Sequence, residues 1–246
     1  MQKMSILENI YRSVSGRKQM AVLIDPDKTF GKGIEIIASG AERCGADYIF
    51  VGGSLLYNSI EDAIKVIKEN TSVPVVLFPG NVMQVSHLAD GILFLSLISG
   101  RNPEFLIGHH VLAAPALKKS GIEILPTAYL LIENGKRTSV EYMSNTVPVP
   151  ADKPEIAVAT AMAGEMLGLR LTYLEAGSGA AKTVGLNLVS EVKKNIHVPL
   201  LVGGGIRTQE EAIGIFKAGA DLIVVGTALE EDPSRLASIA EARQMV

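Results

Sequence analysis

The sequence predicts an α/β fold, a (β/α)8 barrel of the TIM type, taking up residues 1–246 as one domain. Three observations carry this. Eight short apolar runs recur along the chain, continuous rather than alternating, as parallel strands buried on both faces require. Amphipathic stretches with helix-start signals separate most of them. No linker or low-complexity segment divides the 246 residues, a length that barrels reach without splitting.

The first expected strand, residues 20–24, ends in Asp25-Pro26-Asp27-Lys28. The second, 48–51, ends in Gly52-Gly53-Ser54, and the third, 75–78, in Pro79-Gly80-Asn81. The stretch 79–90 is short for a full helix, so the helix after the third strand is expected to be replaced by extended chain. The fourth strand is 92–95. The fifth, 122–132, is long and leads into a polar excursion at 133–137 that returns through Pro148 and Pro150, which reads as a functional loop. Strands at 171–174, 200–202 and 222–225 complete the set. A helix over 153–168 is expected to start on Asp152 as N-cap, with Pro154 in its first turn and Glu155 three residues on. A second, over 208–218, opens on the capping-box pair Thr208 and Glu211. Residues 45–52 and 219–226 echo one another, each Gly-Ala-Asp followed by a buried strand ending in Gly, as quasi-repeated βα units would.

Bulk composition excludes several classes. With 23 basic against 26 acidic residues and no basic block, nucleic acid is not expected as a partner. The single Cys44 rules out an internal disulfide, fits a reducing, cytoplasmic setting, and reads as a core residue of a helix. The first ten residues carry Glu8 inside any apolar segment and do not read as a signal peptide. Runs such as 91–98 are too short to span a bilayer. An apolar content of 48% leaves room for a greasy ligand groove or an oligomer interface.

In barrels the chemistry sits at the C-terminal strand ends. The most informative of these is Tyr173-Leu174-Glu175-Ala176-Gly177-Ser178-Gly179, a buried strand that stops at a lone carboxylate and opens into a glycine turn. Backbone N–H groups of Gly204, Gly205, Gly226 and Thr227 form a plausible phosphate cradle at a helix N-terminus. Asp25 and Asp27 flank a proline; one could hold Mg²⁺, although the motif alone allows a solvated Asp-Pro turn equally well. No Cys/His cluster suggests zinc, and His109 and His110 read as helix-surface or packing residues.

Together the segments IDPDK (24–28), VGGS (51–54), LFPGN (77–81), YLEAGSG (173–179), VGGGIR (202–207) and VGT (225–227) resemble the geranylgeranylglyceryl phosphate synthase family, which includes bacterial heptaprenylglyceryl phosphate synthases. They span nearly the whole chain in order, and YLEAGSG is specific. The resemblance implies a barrel whose third helix is extended chain, and a transferase in phospholipid and ether-lipid biosynthesis. That enzyme would join sn-glycerol 1-phosphate to a polyprenyl diphosphate, with geranylgeranyl as the expected chain, and release pyrophosphate. It further implies Mg²⁺ on Asp25 and Ser54, and glycerol phosphate held by Tyr173, Leu174, Glu175, Ala176, Gly177, Ser178, Gly179, Gly204, Gly205, Gly226 and Thr227. Glu175 would take the hydroxyl proton, with Tyr173 positioning the diol. A homo-oligomer is expected, and a transient membrane contact for the lipid product. Two positions depart from some members: Leu23 where they have Lys, and Thr227 where they have Asn. The first puts a phosphate contact from strand 1 in doubt. The rival readings are a sugar-phosphate isomerase or lyase, a flavin-binding barrel, and a non-catalytic prenyl-lipid carrier.

Overall fold

The structure, a computed structural model, describes residues 4–246. The first three residues of the N-terminal stretch read above lie outside the described residues. Eight parallel strands close into a barrel in sequence order: β1 (Gln19–Ile24), β2 (Tyr48–Val51), β3 (Val75–Leu77), β4 (Gly91–Leu97), β5 (Glu123–Leu131), β6 (Leu171–Glu175), β7 (Leu200–Gly203) and β8 (Leu222–Val225). Closure is made by β1 against β8, with Gln19 opposite Leu222 and Val22 opposite Val225. Every expected run became a strand, shifted at its ends by three residues or fewer.

The helices in chain order are α1 (Ile6–Tyr11), α2 (Lys32–Arg43), α3 (Ile60–Asn70), α4 (His109–Ser120), α5 (Ser139–Ser144), α6 (Pro154–Met166), α7 (Leu186–Asn195), α8 (Gln209–Lys217), α9 (Thr227–Glu231) and α10 (Arg235–Glu241). No helix lies between β3 and β4. The capping box of α8 forms as expected, Glu211 N–H donating to Thr208 Oγ1 at 3.2 Å and Thr208 N–H to Glu211 Oε2 at 3.1 Å. The expectation for α6 needs correcting: its N-cap is Lys153, whose ammonium has no acceptor to offer the first-turn N–H groups, and Pro154 follows at the first position. Cys44 is the C-cap of α2 and only partly buried, packed against the core rather than inside it. A helix that the sequence did not announce, α5, sits inside the excursion after β5. Thr138 caps it, accepting Glu141 N–H at 3.2 Å.

Alternation along the strands splits the core in two. Ala21, Tyr48, Phe50, Val76, Leu93, Leu125, Leu171, Tyr173, Leu201 and Leu222 fill the barrel interior. Their neighbours, among them Met20, Ile49, Val75, Ile92, Leu174 and Ile223, pack outward against the helices. Ile6 and Ile10 of α1 join the interior set, and Glu123 fixes that helix by accepting the N–H groups of Ile6 and Leu7 at 2.7 and 2.9 Å.

The Gly-Ala-Asp echo has a structural cause at this same N-terminal face. Asp47 accepts Met20 N–H at 2.9 Å, and Asp221 accepts Leu200 N–H at 2.8 Å, so each acid satisfies a donor on a neighbouring strand. Each is charge-balanced by two cations. Arg17 and Arg243 reach Asp47, and Lys18 and Lys193 reach the fully buried Asp221. Asp90 accepts Val75 N–H in the same manner at 2.9 Å. Conserving a donor's partner at strand starts secures the barrel away from its upper rim.

Candidate active site

A cavity of about 320 Å³ opens at the C-terminal strand ends. The ends of β1, β2, β3, β6, β7 and β8 all contribute to it, as the sequence required. Of the expected residues, Asp25, Ser54, Tyr173, Glu175, Ser178, Gly204, Gly205, Gly226 and Thr227 line it. Leu174 does not: alternation along β6 turns it outward into the helix-facing core. Ala176 is likewise buried there, and Gly177 serves through its backbone.

Glu175 is the centre of the site. It is the last residue of β6 and buried, with 5% of its surface exposed. Gly177 N–H donates to Oε1 at 2.6 Å. Burial pushes its carboxyl up to about 7, against the opposing pull of the Gly177 N–H and the Tyr173 hydroxyl. Two glycines make room for it. A Cβ on Gly204 would stand 2.5 Å from Oε1, and one on Gly203 would collide with the Tyr173 hydroxyl. The Tyr173 hydroxyl is buried beside this carboxylate and has no other partner among the described residues, so it can serve a ligand held against Glu175. The rings of Phe78 and Tyr129 each lie 5.4 Å from that of Tyr173, so three aromatic faces gather at the acid.

The glycine turns are partly as expected. Gly204 and Gly205 both have positive φ, +83° and +73°, which turns successive N–H groups in one direction. They do not begin a helix, however, since α8 starts only at Gln209. Gly226 and Thr227 do, as N-cap and first residue of α9. Thr227 Oγ1 accepts Gly179 N–H at 3.3 Å, drawing the β6 turn to the β8 turn. Leu23 occupies the β1 position beside this cradle, where a Cβ on Gly226 would lie 3.3 Å away.

At the opposite wall, Asp25 Oδ1 accepts Asp27 N–H at 3.0 Å, while Oδ2 has Lys28 Nζ at 3.5 Å. Asp27 also lines the cavity, but both its oxygens are taken up by Asn58 and Tyr57 N–H, each at 2.8 Å, which lowers its pKa and fixes the β2 loop. Asp25 is therefore the acid whose carboxylate is not taken up by the β2 loop. A metal fits only in one way here. No group of three or more His, Cys, Asp or Glu side chains converges among the described residues. One carboxylate and the Ser54 oxygen suit a hard cation that takes its remaining ligands from substrate phosphates and water.

Beyond this polar chamber the cavity turns apolar. It passes the outward residues Ile92 and Phe94 of β4 as well as the inward Leu93 and Leu95, so it leaves the barrel over the rim of β4. That space lies open because no helix follows β3. Its outer wall is Phe105, Ala113 and Leu117 of the π-turn 104–108 and α4, with Val140 and Met143 of α5. His109 and His110 also line it, a place the sequence reading did not give them. His110 is buried edge-on to Phe94, ring centroids 4.4 Å apart, with Nε2 at 3.2 Å from Ser96 Oγ. Burial lowers its pKa, so it is a neutral packing residue.

Comparison with known proteins agrees with this geometry. The PcrB family model matches residues 13–243. The geranylgeranylglyceryl phosphate synthase of Chitinophaga pinensis is 50% identical over 234 residues, covering 95% of this chain and 93% of that one. The enzyme of the same name from Thermococcus kodakarensis is 44% identical over 237 residues, covering 96% and 92%. Among solved structures, the (S)-3-O-geranylgeranylglyceryl phosphate synthase of Thermoplasma acidophilum, in complex with sn-glycerol-1-phosphate, superposes with a TM-score of 0.93 at 38% identity over 99% of this chain and 100% of that one. A barrel missing the helix after its third strand, a buried strand-6 glutamate and these similarities place the chain in the PcrB family, that of the geranylgeranylglyceryl phosphate synthases.

Proposed function

We propose that this protein is a prenyltransferase that joins sn-glycerol 1-phosphate to a polyprenyl diphosphate, geranylgeranyl diphosphate by the names of its relatives, and releases pyrophosphate in ether-lipid biosynthesis. One observation carries the reading: a buried carboxylate with a pKa of about 7 stands where a polar glycine-lined chamber meets an apolar groove. A sugar-phosphate isomerase has no use for that groove. In the reaction the C1–O bond of the prenyl diphosphate breaks and its electron pair leaves with the diphosphate. The glycerol hydroxyl oxygen bonds to C1, and its proton passes to Glu175, whose pKa suits a base at neutral pH. The Tyr173 hydroxyl, beside Glu175, is placed to donate to the diol. Phe78, Tyr129 and Tyr173 offer ring faces to the carbon as it gains positive charge, and burial keeps out water that would capture it. The two glycine turns, with Ser178, hold the phosphate, while Gly179, which does not line the cavity, ties the β6 turn to Thr227.

Asp25 and Ser54 would hold Mg²⁺, which when bound supplies charge neutralisation for the departing diphosphate. Self-association is supported by Ile107, Val111 and Leu112, all more than half exposed around the start of α4. A transient membrane contact is supported by Tyr57 and Met83, which stand exposed on the β2 and β3 loops. No helix among the described residues is long and apolar enough to cross a membrane, and the lone cysteine favours the cytoplasm. The test is to incubate the protein with labelled sn-glycerol 1-phosphate, Mg²⁺ and a series of polyprenyl diphosphates. Label extracted into organic solvent reads both transfer and chain preference. Label that stays aqueous with every donor refutes the proposal.

A further inference from the structure

The cavity wall carries four carboxylates, Asp25, Asp27, Glu175 and Glu230, against two permanent cations, Lys28 and Arg207. Such a wall repels a phosphate dianion unless a cation is brought to it. The amides of the glycine turns supply dipoles but no net charge. Strand β1 supplies no charge at the cradle either, because Leu23 fills that position. Arg207 pairs loosely with Glu231, Nη2 to Oε1 3.5 Å, and no contact ties it to Ser178, Gly179 or Thr227.

Lys28 remains. Its Nζ lies 2.7 Å from Ser178 Oγ, 3.8 Å from Glu230 Oε2 and 3.5 Å from Asp25 Oδ2. Two of these three partners belong to the cradle. Ser178 adjoins Gly179, which is bonded to Thr227, and Glu230 stands one turn along α9 from Thr227. The contacts are also exchangeable. The single short one is to a neutral hydroxyl, both carboxylates stand off at 3.5 Å or more, and the lysine side chain is 43% exposed. An ammonium held this loosely can move to a phosphate oxygen without breaking a buried ion pair.

We propose that Lys28 is the cation of the glycerol phosphate cradle: on binding, its ammonium leaves Ser178 and Glu230 and pairs with the phosphate of sn-glycerol 1-phosphate. The assignment rests on the function proposed above. It gives Lys28 a place in substrate binding distinct from the diphosphate side at Asp25, and gives Glu230 the role of a competitor that holds the lysine when the site is empty.

Calorimetric titration with sn-glycerol 1-phosphate, and separately with inorganic pyrophosphate plus Mg²⁺, tests it on four proteins. Lys28→Met is expected to weaken glycerol phosphate binding roughly 10- to 100-fold, the scale of one charge-assisted hydrogen bond. Lys28→Arg should recover most of that loss. Glu230→Gln should tighten binding by roughly 2- to 10-fold, since it removes a like charge and frees the ammonium. Pyrophosphate affinity should change less than about threefold throughout. Unchanged glycerol phosphate affinity in Lys28→Met overturns the assignment. So does a loss confined to pyrophosphate, which would put Lys28 on the leaving group, or an equal loss for both ligands. Wild-type protein that binds no glycerol phosphate would overturn the functional reading as well, whereas intact binding that ignores Lys28 overturns this inference alone.

Discussion

Glu175→Gln should make the protein more stable and nearly inactive, and the stability gain should depend on pH in a defined direction. The carboxyl is raised from its ordinary 4.5 to about 7 by burial, so the folded state holds a proton that the unfolded chain has already released. Between those two values the unfolded state binds fewer protons than the native state, and native stability falls as pH rises. The gap, at about 1.4 kcal/mol per pH unit, amounts to about 3 kcal/mol of destabilisation once pH passes 7. Gln keeps the volume, can still accept the Gly177 N–H, and carries no charge to desolvate. Relative to wild type, the variant should gain less than about 1 kcal/mol at pH 5 and about 3 kcal/mol at pH 8.5. For a chain of this size that is roughly 6–12 °C in Tm at the higher pH. Turnover should drop by roughly 10²–10⁴-fold, the range for a lost general base, with glycerol phosphate affinity little changed. The assay is thermal denaturation of both proteins from pH 5 to 8.5, beside turnover at pH 8. A Tm difference that does not grow with pH would show that the carboxylate is not strained by burial. Near-normal turnover would remove Glu175 from the chemistry.

Four further outcomes follow from the same geometry. Asp25→Asn should abolish Mg²⁺-dependent turnover with the fold intact, while Asp27→Asn should loosen the β2 loop and cost activity only modestly, because both Asp27 oxygens are already taken up by Tyr57 and Asn58 N–H; equal losses would show that both acids act on the metal. Gly203→Ala puts a methyl into the Tyr173 hydroxyl, so turnover should fall by at least roughly tenfold by misplacement, and unchanged kinetics would mean that Tyr173 is free to move. Asp221→Ala strands two lysines and a strand N–H at the opposite face, an expected loss of about 3–5 kcal/mol in denaturant titration with kcat unaltered. Crystals grown in sulfate should hold an anion at the amides of Gly205 and Thr227, and density elsewhere in the mouth with that spot empty would count against the cradle.

Most of the barrel was legible because a doubly buried parallel strand leaves an uninterrupted apolar run, and all eight did so. The missing helix was legible for a complementary reason: 79–90 opens Pro-Gly-Asn and is too short for a crossover helix. What stayed hidden depended on contacts between distant segments. Nothing local distinguishes Asp25 from Asp27; the choice is made by Tyr57 and Asn58, thirty residues on, whose N–H groups take up Asp27. The roll of glycerol phosphate residues drawn from a contiguous motif included Leu174, although period-two alternation from Tyr173 and Glu175 already sends it outward. His109 and His110 were legible as helix-surface or packing residues, but not their place in the groove wall, which depends on Phe94, Ser96 and Phe105, brought together only by the turn into α4. That turn is a π-helical stretch, which no residue pattern marks.

The two ends of the barrel divide stability from chemistry, and this explains how so costly a site persists. The upper face keeps a carboxylate raised to about 7, a buried hydroxyl with no partner besides that acid, and a groove left open where a helix would have packed. Each is unfavourable to folding and useful to a transfer that needs a base, a donor and a dry channel. The lower face carries the offsetting features. There Asp47, Asp90 and Asp221 close strand-start donors, cations neutralise them, and α1 seals the interior with Ile6 and Ile10. Changes at that face should therefore move stability without touching turnover. At the upper face the two are tied through the same atoms, so a gain in one at Glu175 or Tyr173 comes with a loss in the other.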